Sequence, residues 1–328
     1  NRDPRLRKQD RQVMSLRYGA RSRPGTMVST WLNSLVSGTV VLPRAGYFAG
    51  GTTGSNVATV DKFAWPDDTR TTLGTGLSAA RAFLAGAANS GVAAYFAGGS
   101  ATTVDKFAFS DDSRTTLGTG LSWASYSPGG AANSGTAAYF AGGYPYSTVV
   151  DKFAFSDDSR TTLGTGLSGA RYGAAGAANS GTAAYFAGGY ESSGSVATVD
   201  KFAFSDDGRT TLGTGLSVAR RYPAGAANSG TAAYFAGGYD GPVFTTVDKF
   251  AFSDDSRSTL GTGLSSARQQ LAGAANSGTA AYFAGGDTGS VVATVDKFAF
   301  SDDGRTTLGT GLSAATAALA GAADSGTL

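Results

Sequence analysis

The chain has 328 residues, 49 of them glycine, with neither cysteine nor histidine and a formal net charge of +2. Without cysteine there is no disulfide and no thiolate nucleophile; without histidine the commonest metal ligand and general base are missing. A Ser-His-Asp triad, a Cys-His pair and a zinc site of the usual kind are therefore excluded. Hydrophobic content of 41% suffices for a sizeable core. No apolar run approaches the roughly 18 residues of a membrane-spanning helix.

Charge is uneven along the chain. Residues 1–37 hold eight Arg and Lys against two Asp, leaving 18 basic and 22 acidic residues for the remainder. Residues 1–25 are basic and aperiodic, and an extended or disordered arm is expected there. Met14 is a candidate start, since residue 1 is asparagine. In "TMVSTWLNSLVSG", Val28, Trp31, Leu32, Leu35 and Val36 fall at helical spacing, with Thr26 placed to cap the start and Gly38 the end. This short amphipathic helix needs a surface, either its own domain or another subunit. Val28, Trp31, Leu32 and Leu35 are the candidate assembly residues. The basic stretch carries no recognised nucleic-acid motif.

From residue 38 the sequence is a repeat. "YFAGG" begins at Tyr47, Tyr95, Tyr139, Tyr185, Tyr234 and Tyr282, and "DKFA" at Asp61, Asp105, Asp151, Asp200, Asp248 and Asp296. From each "DKFA" to the next "YFAGG" is 34 residues, so all length variation lies between the double glycine and "DKFA". Each unit reads as four strands: a small-residue run ("LAGAAN"), "TAAYFAGG", "TVDKFAF" and "RTTLGTGL". Ser-Gly and Asp-Asp-Ser/Gly turns join the first pair and the last pair. In the third strand Val199, Lys201 and Ala203 alternate with Asp200, Phe202 and Phe204, so the two sets face opposite ways. A period of 44 to 49 residues with four strands indicates an all-β fold, a six-bladed β-propeller of four-stranded antiparallel blades over residues 38–328. The rival is a parallel β-helix, whose coils are usually about half this length.

The unit resembles the kelch repeat. The resemblance rests on the double glycine closing the second strand (Gly188-Gly189), on Val199-Asp200-Lys201-Phe202, and on an arginine after the fourth strand at Arg81, Arg171, Arg220 and Arg268. The tryptophan that kelch repeats carry early in the fourth strand is absent here, where the sequence reads "RTTL". The first unit begins at its second strand, near Tyr47, while a sixth small-residue run, "LAGAADSGTL", follows the last unit, so ring closure is expected by that run pairing with the strand at Tyr47 as first strand of the first blade, the way kelch propellers close. Small first strands suit the crowded axis. Phe202, Phe204 and their equivalents are expected between blades, where Asp of one blade could meet Lys of the next.

In such a blade the second-to-third and fourth-to-first links share one face, and both vary, whereas the "NSG" and "DDS/DDG" face is nearly constant. Binding residues commonly sit on loops held by a rigid scaffold. The candidate ligand-binding set on the variable face is Arg81, Trp123, Tyr126, Tyr144, Tyr146, Arg171, Tyr172, Tyr190, Arg220, Tyr222, Tyr239, Phe244 and Arg268. The Asp pairs read as hydrogen-bonded turn acids, a weak calcium signal. No cofactor, metal site or catalytic residue is assigned. The expected function is a non-catalytic binding or structural module in an exposed assembly, extracellular or on a virion or tail fibre, with protein subunits or a surface glycan as partners. The alternative is a metal-free carbohydrate-active enzyme; kelch-like propellers include a copper oxidase and a sugar epimerase. Copper chemistry of that kind needs the absent His and Cys, which leaves Glu191, the only glutamate in the chain.

Overall fold

A computed structural model of the chain describes residues 44–324. The expectations for residues 1–37, including the helix with Val28, Trp31, Leu32 and Leu35, lie outside the described residues. Among the described residues all regular structure is β: six four-stranded antiparallel blades in a ring, and one two-stranded hairpin, Tyr190–Glu191 with Gly194–Ser195, in a variable link. The fold is a six-bladed β-propeller. Blade 4 illustrates the unit: inner strand Ala175–Asn179, second strand Ala183–Ala187, third strand Val199–Ala203 and outer strand Arg209–Thr211. Blade 1 is built from both ends of the chain. Its inner strand Ala320–Asp324 pairs antiparallel with Ala45–Ala49 in the register Ala45↔Asp324 to Ala49↔Ala320. No blade is left short of a strand, which removes the open edge a truncated sheet would present.

The axis shows why the inner strands are small. One glycine from each, Gly86, Gly130, Gly176, Gly225, Gly273 and Gly321, lies against the carbonyl of its counterpart in the preceding blade. The six contacts close on themselves, because Gly86 abuts Gly321. A Cβ at any of these positions would overlap backbone rather than a movable side chain.

Alternation along the third strand sends Val199 and Phe202 into different junctions. Val199 packs with Phe235 and Phe250 of blade 5, whereas Phe202 packs with Tyr139 and Val150 of blade 3. Phe204 lies on Tyr139 at a ring separation of 5.2 Å. Each of the six junctions has such a cluster.

A polar clamp accompanies each cluster. The second Asp of each Asp-Asp turn adopts φ of 56–58°. It accepts from the buried Tyr and from the third-strand Lys of the preceding blade. In blade 5, Asp255 takes Tyr185 Oη at 2.7 Å and Lys201 Nζ at 2.8 Å, and Lys201 Nζ lies 5.3 Å from the Tyr185 ring centre. The pattern recurs around the ring, including Tyr282 and Lys297 to Asp68 across the closure. The first Asp of the turn caps it locally, as Asp254 does by accepting from Ser256 N–H at 3.0 Å. These are the turn acids expected from the sequence.

Two details differ from the sequence expectation. Lys pairs with this turn Asp and not with a third-strand Asp of a neighbouring blade, because that carboxylate is taken by the Thr of its own outer strand and the Ser of the preceding link, as Asp200 is by Thr211 and Ser168. The outer strand also stops at "RTT". Beyond it Leu212 N–H still donates to Val199 O, and Gly215 then lies backbone-on-backbone against Ala197, which ends regular pairing.

Candidate ligand-binding face

Four of the predicted site residues lie beneath the variable face rather than on it. Arg81, Arg171, Arg220 and Arg268 are buried, and each guanidinium meets the third-strand Asp of the blade that follows: Asp105 at 2.6 Å, Asp200 at 2.8 Å, Asp248 at 2.9 Å and Asp296 at 2.9 Å. The same carboxylates accept from a Thr of their own outer strand and from a Ser of the preceding link, as Asp200 does from Thr211 and Ser168. Burial opposes ionisation of Asp105, Asp200, Asp248 and Asp296, but these hydrogen bonds and the guanidinium outweigh it and hold each carboxyl below its ordinary range. The arginines therefore lock link to blade.

Two residues further along each link the backbone turns sharply. Phe83, Ser127, Gly173, Tyr222, Gln270 and Ala318 all have positive φ, between 55° and 67°. Each donates its N–H to the carbonyl of its counterpart in the preceding link, and the six bonds, 2.7–3.2 Å long, form a closed circle about the axis. This circle fixes the link tips. The next position outward bridges to the residue after a double glycine, as in Tyr126↔Tyr144, Tyr172↔Tyr190 and Arg221↔Tyr239. The two kinds of variable link are thereby knitted into one face, as expected.

The geometry gathers aromatic rings on one side of that face. Tyr172 lies 5.5, 5.7, 5.6 and 6.0 Å from Tyr144, Tyr146, Tyr190 and Tyr222. Tyr126 continues the chain of rings through Tyr144 at 6.3 Å and stacks on Phe83 at 4.2 Å. Arg221 lies over Tyr190 at 4.4 Å and over Tyr239 at 5.0 Å, so it carries the cluster outward to Tyr239. A cavity of about 550 Å³ opens among Ser100, Tyr126, Tyr144, Pro145, Tyr172 and Tyr222. Tyr144 and Tyr146 are 51% and 41% exposed, the only large aromatics so open among the described residues. The equivalent positions on the far side are Thr52, Gln269, Asp287 and Ala317.

Burial and the neighbouring Tyr172 push the Tyr126 phenol up to about 12. Burial raises Tyr222 as well, against the opposing charge of Arg221. These phenols are neutral hydrogen-bonding groups at physiological pH. Glu191 is drawn toward Arg171, 3.9 Å away. Trp123 and Phe244 occupy the predicted links but make no ring contact with the cluster.

Sequence reasoning missed Arg221 and Phe83. The available signal was singularity: arginine recurs at the position of Arg220 in four of six links, the mark of a scaffold residue. Arg221 stands where other links have Tyr, Gln or Ala. Compared with known proteins, the sequence matches no family model and no curated protein.

Proposed function

We propose that the chain is a non-catalytic binding module whose aromatic quarter engages a glycan. One observation carries this reading: seven tyrosines and a phenylalanine converge on one side of a ring whose scaffold is otherwise repeated six times. Flat phenol faces over an open groove suit sugar rings, which stack on aromatic faces and exchange hydrogen bonds with neutral hydroxyls. The groove offers phenols and one guanidinium, with the Glu191 carboxylate turned to Arg171, a composition that favours binding over acid–base chemistry. A protein partner is the second reading, favoured by Arg221 among the tyrosines, a pairing enriched where protein interfaces concentrate their energy. Kelch-type ancestry is part of the proposal, supported by the double glycine, the Val-Asp-Lys-Phe strand and the buried arginine. An exposed assembly, on a virion, a tail fibre or a cell surface, is its proposed setting, with residues 1–37 serving attachment.

The test is a glycan array probed with the full chain and repeated with Tyr144→Ala and Tyr172→Ala combined. Glycan binding that the double variant loses supports the first reading. A silent array, with a soluble partner captured only by the unsubstituted chain, supports the second. Binding that survives the substitutions removes this face from consideration.

A further inference from the structure

The seam where blade 6 passes into blade 1 breaks the arginine rule. Where four links carry Arg81, Arg171, Arg220 and Arg268, the link into blade 1 carries Thr316. The arginines show what a guanidinium finds at that position. Arg81 donates to the Gly98 and Thr103 carbonyls and to Asp105, and Arg171, Arg220 and Arg268 donate to the carbonyls of Phe186, Phe235 and Phe283. In blade 1 the corresponding residues are Phe48, Gly50, Thr59 and Asp61. All four line one cavity of about 160 Å³, with Thr316 on its wall.

The acceptors at this seam are underused. Asp61 is 4% exposed. Its Oδ2 accepts from Ser313 N–H and Oγ–H at 2.7 and 2.9 Å, and its Oδ1 from Thr72, with Arg70 of the outer strand 3.6 Å away. The equivalent carboxylates in blades 2, 4, 5 and 6 accept from the same Ser and Thr positions and meet a buried guanidinium besides. Thr316 does not replace it, because its hydroxyl turns back to the carbonyl of Ala314 at 2.9 Å. Blade 3 also lacks the arginine, but there the Ser125 hydroxyl donates to Gly142 O, the counterpart of the Gly98 carbonyl that Arg81 uses.

We propose that this seam cavity is a receptor for one guanidinium, the side chain of an arginine, which would complete at blade 1 the ion pair that four other blades carry within themselves. Size, a buried carboxylate and convergent backbone carbonyls match a planar cationic donor with several N–H groups. Such an occupant would touch Thr316 on the link leading to the C-terminal strand and Asp61 beside the N-terminal strand. Its binding would therefore favour the closed ring by mass action.

The experiment titrates the full chain with N-acetylarginine amide by calorimetry, with the isosteric, uncharged N-acetylcitrulline amide as control. Thr316→Arg, which places the guanidinium within the protein, should abolish binding and raise the unfolding midpoint. Binding by the unsubstituted chain, about tenfold or more tighter than citrulline as a lost charge-assisted hydrogen bond implies, supports the proposal. No binding, equal binding of citrulline, or undiminished binding to Thr316→Arg would overturn the proposal.

Discussion

Adding one methyl group at Gly176 should unfold this propeller more readily than most changes of its size. A Cβ there would overlap the carbonyl of Gly130, and the atoms it meets are backbone. Gly130 cannot retreat, because it abuts Gly86, and the contact passes on through Gly321, Gly273 and Gly225 back to Gly176. Overpacking of a tight core costs about 1–3 kcal/mol, and a site where neither wall can move belongs at the upper end. Alanine would regain about 0.4–1 kcal/mol by restricting the unfolded chain, so a net loss of roughly 2–3 kcal/mol is expected. Gly118→Ala is the control: that position has ordinary φ and no atom within 4 Å of a Cβ, so only the small favourable term remains. Urea unfolding followed by circular dichroism measures both. Gly321→Ala should behave like Gly176→Ala, since it belongs to the same circle through the C-terminal strand. Equal midpoints for Gly176→Ala and Gly118→Ala would refute the account of the axis.

Arg220→Met should cost about 3–5 kcal/mol by leaving Asp248 buried without its guanidinium, whereas the half-exposed Arg257→Met should cost under about 1 kcal/mol; chemical unfolding of the two variants checks this. Tyr47, Tyr95, Tyr139, Tyr185, Tyr234 and Tyr282 are all raised, first by burial and then by the clamp Asp each one meets. Their contribution is thus complete below the unfolded phenol value of about 10 and is lost as pH rises above it, so the unfolding midpoint should fall steeply from about pH 10 upward. The depressed Asp105, Asp200, Asp248 and Asp296 work in the other direction, and stability should fall as pH drops below about 4. Deleting residues 320–328 removes the partner of Ala45–Ala49. It should lower the midpoint of the whole domain in a thermal melt, and an unchanged melt would contradict closure by the C-terminal strand.

The scaffold was legible because its physics repeats. A fixed interval from "DKFA" to "YFAGG" marks the segments whose length packing dictates. The alternation of Val199, Asp200, Lys201 and Phe202 correctly assigned Val199 and Phe202 to opposite junctions. Closure followed from a first strand lacking at one end and spare at the other. The candidate site was legible only in part. The variable links and most of the tyrosines were identifiable, but Arg220 and Arg221 are adjacent, and composition cannot say which one turns inward. The positive φ at Tyr222 and its five counterparts decides that, and Tyr, Phe, Gln and Ala give no local sign of it. The clamp escaped notice for a related reason: Asp255 meets Tyr185 and Lys201 more than fifty residues away, a contact set by blade packing rather than by any motif.

Hydrogen–deuterium exchange of the full chain, with and without a ligand found on the array, tests the binding face most directly. The account predicts slowed exchange in the links around Tyr126, Tyr144 to Tyr146, Tyr172, Tyr190 and Arg221 to Tyr222, with no change around Thr52, Gln269 and Asp287. Protection centred on the far links, or on the Asn-Ser-Gly and Asp-Asp turns of the opposite face, would contradict it.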